Sequence, residues 1–337
     1  MGLIRLLPRT GRRSDGAVVV EPDTELDEEV GVSEAERAVD DAPVAVEELR
    51  DVDELVSEPE SLAPAESAPP APAQATRVSE KTRVIAFANQ KGGVAKTTTV
   101  VNLAAALVER GDRVLVVDLD AQACATFSLG LDPEDLEDTG AAVFMGQEPD
   151  RSLASLVMTT PDGADLVPAA IDLAGADRAL ASVIGREYVV RDALVDLRDD
   201  YDWILLDCSP SLGIITVNAL TAADAVLVPL QCETLSHRGV GQLMETIADV
   251  KRLTNPRLLI AGVLPTLFDG RTTHAKAVLA DLGPRYGVRV FSPISRSIRF
   301  AEAPAAGRSI LATASASKGA RDYRVLAGEL CEAMPAR

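Results

Sequence analysis

Short apolar runs and longer amphipathic segments alternate along the chain from residue 83 onwards. Seven aliphatic runs have the length of buried strands, at residues 83–89, 113–120, 164–169, 201–208, 224–231, 258–265 and 289–293. Segments with helical periodicity lie between them, most clearly at 97–111 and 235–253, with Gly and Pro at the joins. This alternation predicts a mostly parallel, doubly wound sheet covered by helices on both faces, within one α/β domain over residues 82–337.

The first 80 residues have a different composition. They hold 8 of the 20 prolines, recurring acidic residues from Glu21 onwards, and a Pro/Ala-rich stretch at 61–75. Such a segment cannot bury enough apolar surface to offset the entropy of ordering it. We therefore predict a disordered acidic tail at residues 1–80. It is either an interaction or regulatory segment or a solvated extension without a specific partner.

The charge is distributed unevenly. The formal net charge of −19 argues against a protein that coats nucleic acid or anionic lipid with its whole surface. Residues 1–81 carry 20 acidic and 8 basic side chains, whereas residues 270–337 carry 11 basic and 5 acidic ones. Any surface that binds DNA is therefore expected on the C-terminal part of the domain.

The cysteines and apolar runs bear on cell compartment. The four cysteines lie far apart and form no CxxC pair, which indicates thiols of a reducing cytoplasm rather than a zinc or redox motif. The N-terminus lacks the long apolar core of a secretory signal, and no run approaches the ~20 apolar residues that span a bilayer. These patterns predict a cytoplasmic protein.

Residues 91–98 read KGGVAKTT between a predicted strand and a predicted helix, which is the context of a phosphate-binding loop. Gly92 and Gly93 allow the backbone to approach phosphate oxygens, and the helix N-terminus then faces the anion. Lys96 is expected between the β- and γ-phosphates, and Thr97 is expected to offer its hydroxyl to Mg²⁺. The usual GxxxxGK[ST] pattern is not met literally, and the extra Lys91 makes the loop distinctive.

Three carboxylates follow or end predicted strands. Asp118 and Asp120 are two residues apart, so strand alternation puts both on one face. Asp207 ends the run WILLD, four apolar residues and an acid. Doubly wound sheets bind ligands at the carboxyl ends of their strands, so these three side chains are expected at one site.

The loop resembles the deviant Walker A signature KGGxxKT[ST] of the ParA/MinD group of ATPases, and the chain is most similar to its ParA/Soj chromosome-partitioning family. The similarity continues through RVLVVDLDAQ, WILLDCSPSLG, VLVPLQCETLSHRGVGQL, TLFDGRT and IRFAEAPAAGRSI, and covers about residues 83–330. It implies a P-loop NTPase fold and an ATP- and Mg²⁺-dependent ATPase that is slow without an activator. It also implies an ATP-dependent homodimer that binds nonspecific DNA at the nucleoid, responds to a ParB-like activator and does not use a membrane.

The resemblance implies roles for individual residues. Lys91 matches the lysine that reaches the partner's phosphates across the dimer, and Asp120 matches the water-orienting carboxylate; with Lys96 they form the expected catalytic set. The expected nucleotide-binding residues are Lys91, Gly92, Gly93, Val94, Ala95, Lys96, Thr97, Thr98, Asp118 and Asp207. Of these, Thr97, Asp118 and Asp207 are expected on the metal side, with Asp207 acting through water.

Further positions match the family outside the loop. Residues 266–271 and 293–304 correspond to its nucleoside-binding edge, and Gln231 and Glu233 to a position near the dimer face. Arginines that match DNA-contacting positions are Arg271, Arg296 and Arg299. Ala95 departs from the commonest family loop, which has Gly there; a positive φ at this residue would cost roughly 1 kcal/mol.

Two relatives of the same fold remain as alternatives. A MinD-like, membrane-cycling ATPase needs a basic amphipathic terminal helix. The final segment GARDYRVLAGELCEAMPAR is mixed in charge and has few bulky apolar residues, which disfavours this class. A metal-cluster carrier needs paired cysteines at a dimer interface, and Cys124 and Cys208 lie in no such motif.

Overall fold

The computed structural model describes residues 82–148, 151–232 and 236–335. The predicted tail at residues 1–80 and the predicted dimer-face residue Glu233 lie outside this part of the chain. The described strands are β1 (Arg83–Phe87), β2 (Val114–Leu119), β3 (Met158–Thr159), β4 (Asp165–Val167), β5 (Trp203–Cys208), β6 (Ala225–Gln231) and β7 (Leu259–Thr266). They form one sheet in the order β3-β4-β2-β5-β1-β6-β7, parallel except for the β3–β4 pair.

Helices cover both faces of this sheet. The described helices are α1 (Lys96–Glu109), α2 (Cys124–Ser128), α3 (Gly140–Phe144), α4 (Ala176–Ala179), α5 (Val189–Ala193), α6 (Ile214–Ala222), α7 (Ser236–Leu253), α8 (Thr273–Tyr286), α9 (Arg299–Glu302), α10 (Ile310–Thr313) and α11 (Lys318–Ala333). Short 3-10 turns lie at Leu153–Leu156, Ile171–Gly175, Arg186–Tyr188, Val195–Leu197 and Pro304–Ala306.

Alternation along the strands divides the core into two layers. In β1, Val84 and Ala86 pack into one layer, whereas Ile85 and Phe87 pack into the other. The first layer includes residues of α6 and α7, and the second includes residues of α1 and α11. Because helices cover both faces, the central strands are mostly apolar on both sides, and the predicted doubly wound fold is confirmed.

The predicted strand at residues 289–293 is not a regular strand. Its backbone follows β7, with hydrogen bonds from Val263 N to Arg289 O at 2.8 Å and from Phe291 N to Val263 O at 3.0 Å. It forms only an isolated bridge at Val290, because neither Pro265 of β7 nor Pro293 has the N–H that the next ladder bonds require. Beyond Pro293 the chain still follows β7 and the residues after it, with Ile294 N donating to Pro265 O at 2.8 Å and an isolated bridge between Phe268 and Ser295.

Candidate functional site

The loop between β1 and α1 is held in place by hydrogen bonds to residues of β6 and β7. Asn89 Nδ2 donates to Pro229 O on β6 at 2.7 Å, and Asn89 Oδ1 accepts from Lys91 N at 3.0 Å. Thr266 Oγ1, at the end of β7, donates to Val94 O at 2.9 Å. These hydrogen bonds hold the loop at residues 89, 91 and 94, and the N-terminus of α1 lies at its end.

Ala95, where related loops have glycine, has a left-handed backbone conformation. It has φ +66° and ψ +37° and is the N-cap residue of α1. The condition stated for this position is therefore met, and the Cβ of Ala95 strains the loop by roughly 1–2 kcal/mol. Ala123, the N-cap residue of α2, is also left-handed with φ +50°.

Two of the predicted carboxylates face each other across a strand pair. Asp118 on β2 and Asp207 on β5 are register partners, and both side chains are fully buried. Asp118 Oδ1 accepts from Asp120 N at 3.1 Å, and its Oδ2 accepts from Thr126 N at 2.9 Å and Thr126 Oγ1 at 2.8 Å. Burial raises the pKa of Asp118 to about 6 against these hydrogen bonds. Asp118 thus ties β2 to α2, and its contact with a metal stays a prediction.

Asp207 has the opposite environment. Both of its carboxylate oxygens are buried and make no hydrogen bond of normal geometry, although the Thr97 hydroxyl and the Lys96 ammonium lie nearby. Burial, and then the neighbouring Asp118 carboxylate, raise the pKa of Asp207, while the Thr97 hydroxyl and the Lys96 ammonium oppose this shift. Buried polar groups are rarely left unpaired, and a carboxylate beside a hydroxyl and a phosphate loop is a suitable donor set for Mg²⁺. The residues present therefore fit this cation.

Lys96 and Asp120 lie at the opening of the same site. Lys96 is only 7% exposed; burial lowers its pKa, and the nearby Asp207 and Asp120 counteract this effect. A cavity of about 1120 Å³ opens here, lined by Gly92, Gly93, Ala95, Lys96, Thr97, Thr98, Asp120, Cys124, Phe127, Ile171, Pro304 and neighbouring residues. Its size suits a nucleotide. Lys91 lies on the loop at the side of the cavity and is not among its lining residues.

The predicted nucleoside edge is divided between two cavities. Pro304 lines the large cavity beside the loop. The segment Phe268–Arg271 instead lines a separate cavity of about 350 Å³. The other walls of this second cavity are Ser295, Arg296 and Lys318; we call it the cationic cavity. Both predicted segments therefore meet at the cationic cavity, Pro304 of the second segment also lines the large cavity, and their contact with a nucleoside stays a prediction.

Two of the three predicted DNA-contacting arginines meet at the cationic cavity. Arg271 and Arg296 both line it. Arg271 is exposed and forms two hydrogen bonds with Asp269, at 2.9 Å and 2.8 Å, which hold the pKa of that carboxyl far below its usual range. Arg299 is not among the lining residues and pairs with Glu302 at 2.8 Å.

Sequence reasoning missed several residues of this region. Asn89 positions the loop through Pro229, which is distant in sequence, and Thr126 positions Asp118 from eight residues further along the chain; no motif marks either residue. Lys318 joins the cationic cavity from the first turn of α11, and only the basic composition of the last fifth pointed to it. Phe127 and Ile171, which are 51% and 70% exposed, line the large cavity with apolar surface.

The cysteines of the described residues bear on the metal-cluster alternative. The four cysteines are free thiols, and no group of three or more His, Cys, Asp or Glu side chains in this part of the chain could hold a metal ion. Among the helices that the structure describes, none is long and apolar enough to cross a membrane. Cys124 is exposed in the large cavity, and Cys208 is buried.

The doubly wound sheet, the loop KGGVAKTT and the buried carboxylates at the strand ends define a P-loop ATPase with a deviant Walker A loop. The family model described as an AAA domain matches residues 82–260. The chromosome partitioning protein ParA of Caulobacter vibrioides is 43% identical over 251 residues, 74% of this chain and 93% of that protein. The chromosome-partitioning ATPase Soj of Thermus thermophilus is 46% identical over 251 residues, 74% of this chain and 96% of that protein. The chain belongs to the ParA/Soj family of partitioning ATPases, which confirms the resemblance inferred from the motifs.

A solved structure from Mycobacterium smegmatis is also similar. It is described as cobyrinic acid a,c-diamide synthase with bound ADP and magnesium. Its identity to this chain is 49%, its TM-score is 0.67, and the match covers 76% of this chain and 97% of that one. The same protein has been crystallised with an ATP analogue and magnesium.

Proposed function

We propose that this protein is an ATP-driven switch for partitioning a chromosome, plasmid or other cargo. It binds ATP and Mg²⁺ at the phosphate loop, dimerises with ATP bound and holds nonspecific DNA in that state. Hydrolysis, stimulated by a ParB-like protein, returns it to the state that does not hold DNA. The unpaired Asp207 carboxylate beside the loop, in a family whose relatives bind nucleotide with magnesium, is the observation that carries the proposal.

Each residue of the loop region has a role in this proposal. Backbone N–H groups of residues 92–98 bind the phosphates at the N-terminus of α1. Lys96, partly neutralised by Asp207 and Asp120 before ATP binds, offsets charge between the β- and γ-phosphates. Thr97, and Asp207 through water, hold Mg²⁺, which neutralises phosphate charge when bound.

Hydrolysis requires an oriented water and a second positive charge. Asp120 lines the cavity beside Lys96, and its carboxylate accepts only from Gln122 N at 3.0 Å among its described hydrogen bonds. It is therefore available to orient water against the γ-phosphate. Lys91, at the side of the loop, is proposed to reach the phosphates of the second subunit and to stabilise charge in the transition state.

The dimer is supported by apolar surface around the loop. Phe127 and Ile171 are exposed large side chains on the walls of the large cavity. A second copy that closes over the nucleotide would cover both, which removes apolar area from water. The interface would therefore include the phosphate loop.

A mass measurement with matched variants tests this dimer. We expect sedimentation equilibrium to show a dimer with Mg²⁺ and a nonhydrolysable ATP analogue, and a monomer for Lys96→Ala under the same conditions. Ile171→Glu should abolish the dimer, because it buries an unpaired charge at the interface. Ile184→Glu changes a fully exposed isoleucine outside the cavity and should dimerise normally. Equal dimerisation of Ile171→Glu and the parent would contradict this interface.

DNA binding is assigned to the basic C-terminal part of the domain. Arg271 and Arg296 line the cationic cavity, and Arg299 lies at the start of α9, shortly after Arg296 in the chain. Phosphate neutralisation by such residues makes DNA binding steeply dependent on salt. The logarithm of the binding constant falls with the logarithm of the salt concentration with a slope of about −0.9 for each phosphate contact. We therefore expect ATP-dependent binding that weakens as salt rises.

A charge-matched pair of double variants tests these arginines. Arg271→Glu/Arg299→Glu should lower affinity for nonspecific DNA with ATP by about tenfold or more at low salt. Arg285→Glu/Arg321→Glu changes the net charge equally at two other arginines of the same region and should lose much less. Equal retention of the first variant and the parent on DNA would refute the assignment.

The Mycobacterium smegmatis relative carries the name of a different activity, and the shared nucleotide region suits both. The partition function is favoured because the cationic cavity adds a surface for phosphates outside the nucleotide site. Formation of an amide from cobyrinic acid, ATP and ammonium by this protein, without any ATP-dependent DNA binding, would favour the other activity.

A further inference from the structure

The C-terminal helix α11 is joined to the phosphate-loop helix α1. The two helices pack in one core layer, where Leu326 and Leu330 are fully buried. Arg324 of α11 also binds both carboxylate oxygens of Glu109, in the last turn of α1, at 2.6 Å and 2.8 Å. A displacement of α1 would therefore also displace α11.

A chain of hydroxyl groups links the loop itself to α11. Thr99 Oγ1 donates to the carbonyl oxygen of Ala95 at 2.7 Å and lies 3.4 Å from Tyr323 Oη. A threonine hydroxyl has a single proton, so the tyrosine is the donor of the second bond. Thr99 and Tyr323 are both fully buried. The tyrosine hydroxyl on α11 is thus connected through one side chain to the strained loop residue.

The residue of α11 that immediately precedes Tyr323 holds the wall of the cationic cavity. Asp322 Oδ2 accepts from Ser295 N at 2.9 Å and lies 3.5 Å from Lys318 Nζ. Lys318 also donates to Ser295 Oγ. Because Ser295 immediately precedes Arg296, Asp322 fixes the backbone that carries this arginine into the cavity.

We propose that Tyr323 and Asp322 are positioning residues that couple the phosphate loop to the cationic cavity. Phosphate binding rearranges the peptide of Ala95, the Thr99–Tyr323 contact passes this shift to α11, and Asp322 resets the segment that carries Arg296. The proposal rests on the proposed function for the identity of the two ligands, ATP and DNA. The phosphate loop and the cationic cavity are coupled through these two adjacent side chains.

Two conservative variants test this connection. Tyr323→Phe removes one hydroxyl and leaves the packing in place, and Asp322→Asn removes the charge and keeps the shape. Their controls are Tyr201→Phe, which removes a buried tyrosine hydroxyl bonded to Asp165 at 2.9 Å in the other core layer, and Glu332→Gln, which removes an exposed charge of the same helix. The full chain is used throughout, and thermal unfolding verifies that each variant folds.

Two readouts are taken with Mg²⁺ and a nonhydrolysable ATP analogue and without nucleotide. The first is the ratio of dissociation constants for nonspecific DNA in the two conditions. We expect each test variant to reduce this ratio by about threefold or more, while affinity for the analogue stays unchanged and the controls keep the parental ratio. The second is amide hydrogen exchange of residues 293–299, whose response to the analogue should be lost in both test variants.

The outcomes separate this inference from the proposed function. If the parent shows no ATP-dependent DNA binding, the proposed function fails; the connection then stands only if the exchange response is present in the parent and absent from both test variants. If the parent binds DNA with ATP dependence and Tyr323→Phe and Asp322→Asn keep both the ratio and the exchange response, the connection is refuted.

Discussion

Ala95→Gly tests directly whether the phosphate loop holds strain. Ala95 has φ +66°, a conformation that costs an L-residue with a Cβ roughly 1–2 kcal/mol and glycine almost nothing. Glycine also makes the unfolded chain more flexible, which costs about 0.5–1 kcal/mol. The balance predicts that the variant raises the free energy of unfolding by about 0.5–1 kcal/mol. For a domain of this size, this corresponds to a melting temperature higher by about 2 °C.

Ala105→Gly is the matched control, because it makes the same chemical change in the middle of α1. Ala105 is 6% exposed and lies within a helix, where glycine is less stable than alanine by about 1 kcal/mol. The two variants should therefore change stability in opposite directions. This comparison cancels the effect of the lost methyl group on the unfolded chain.

Urea denaturation followed by circular dichroism measures both variants against the parent, with the transition midpoint as the readout. The reasoning predicts a higher midpoint for Ala95→Gly and a lower one for Ala105→Gly. A lower midpoint for both would refute it, since it would mean that the loop does not hold the left-handed conformation at this residue. The measurement needs no nucleotide, so it is independent of the proposed function.

Two further predictions concern other parts of the chain. Deleting residues 1–78 should raise affinity for DNA in the ATP state, because the acidic side chains of this segment are expected to compete with DNA for the basic surface. An unchanged affinity in a filter-binding titration would count against this competition. Asn102→Ala should lower the free energy of unfolding by about 2–3 kcal/mol, because Asn102 accepts from Ile310 N and donates to Thr98 O, both at 2.7 Å; a loss well below 1 kcal/mol in urea denaturation would show that these contacts are not formed.

The motifs predicted which side chains lie together at the phosphate loop, but not how they are paired. Asp118 and Asp207 were both expected on the metal side of the site. In the structure, the oxygens of Asp118 accept from Thr126 and Asp120 N, whereas those of Asp207 are unpaired. This difference depends on where α2 lies against β2, and no local pattern records that position.

The layered fold was predictable because strand and helix periods are local properties. The exceptions have physical causes that are not local. Residues 289–293 have the composition of a strand, but neither Pro293 nor Pro265 of β7 has the N–H that would continue the ladder beyond Phe291. The pair Met158–Thr159 forms a strand although both side chains are exposed, because β4 offers it an edge. Alanine at position 95 does not by itself indicate a left-handed backbone, and only the glycine of related loops raised that question; the surrounding loop imposes the conformation.

The central claim is that the site at the phosphate loop hydrolyses ATP with Asp120 orienting the water. Steady-state phosphate release from Asp120→Ala, measured beside ATP affinity, tests it most directly. Asp132→Ala is the control, because it removes another carboxylate from the same cavity. We predict that Asp120→Ala binds ATP like the parent and loses turnover about a hundredfold or more, while Asp132→Ala stays close to the parent. Normal turnover in Asp120→Ala would contradict the account.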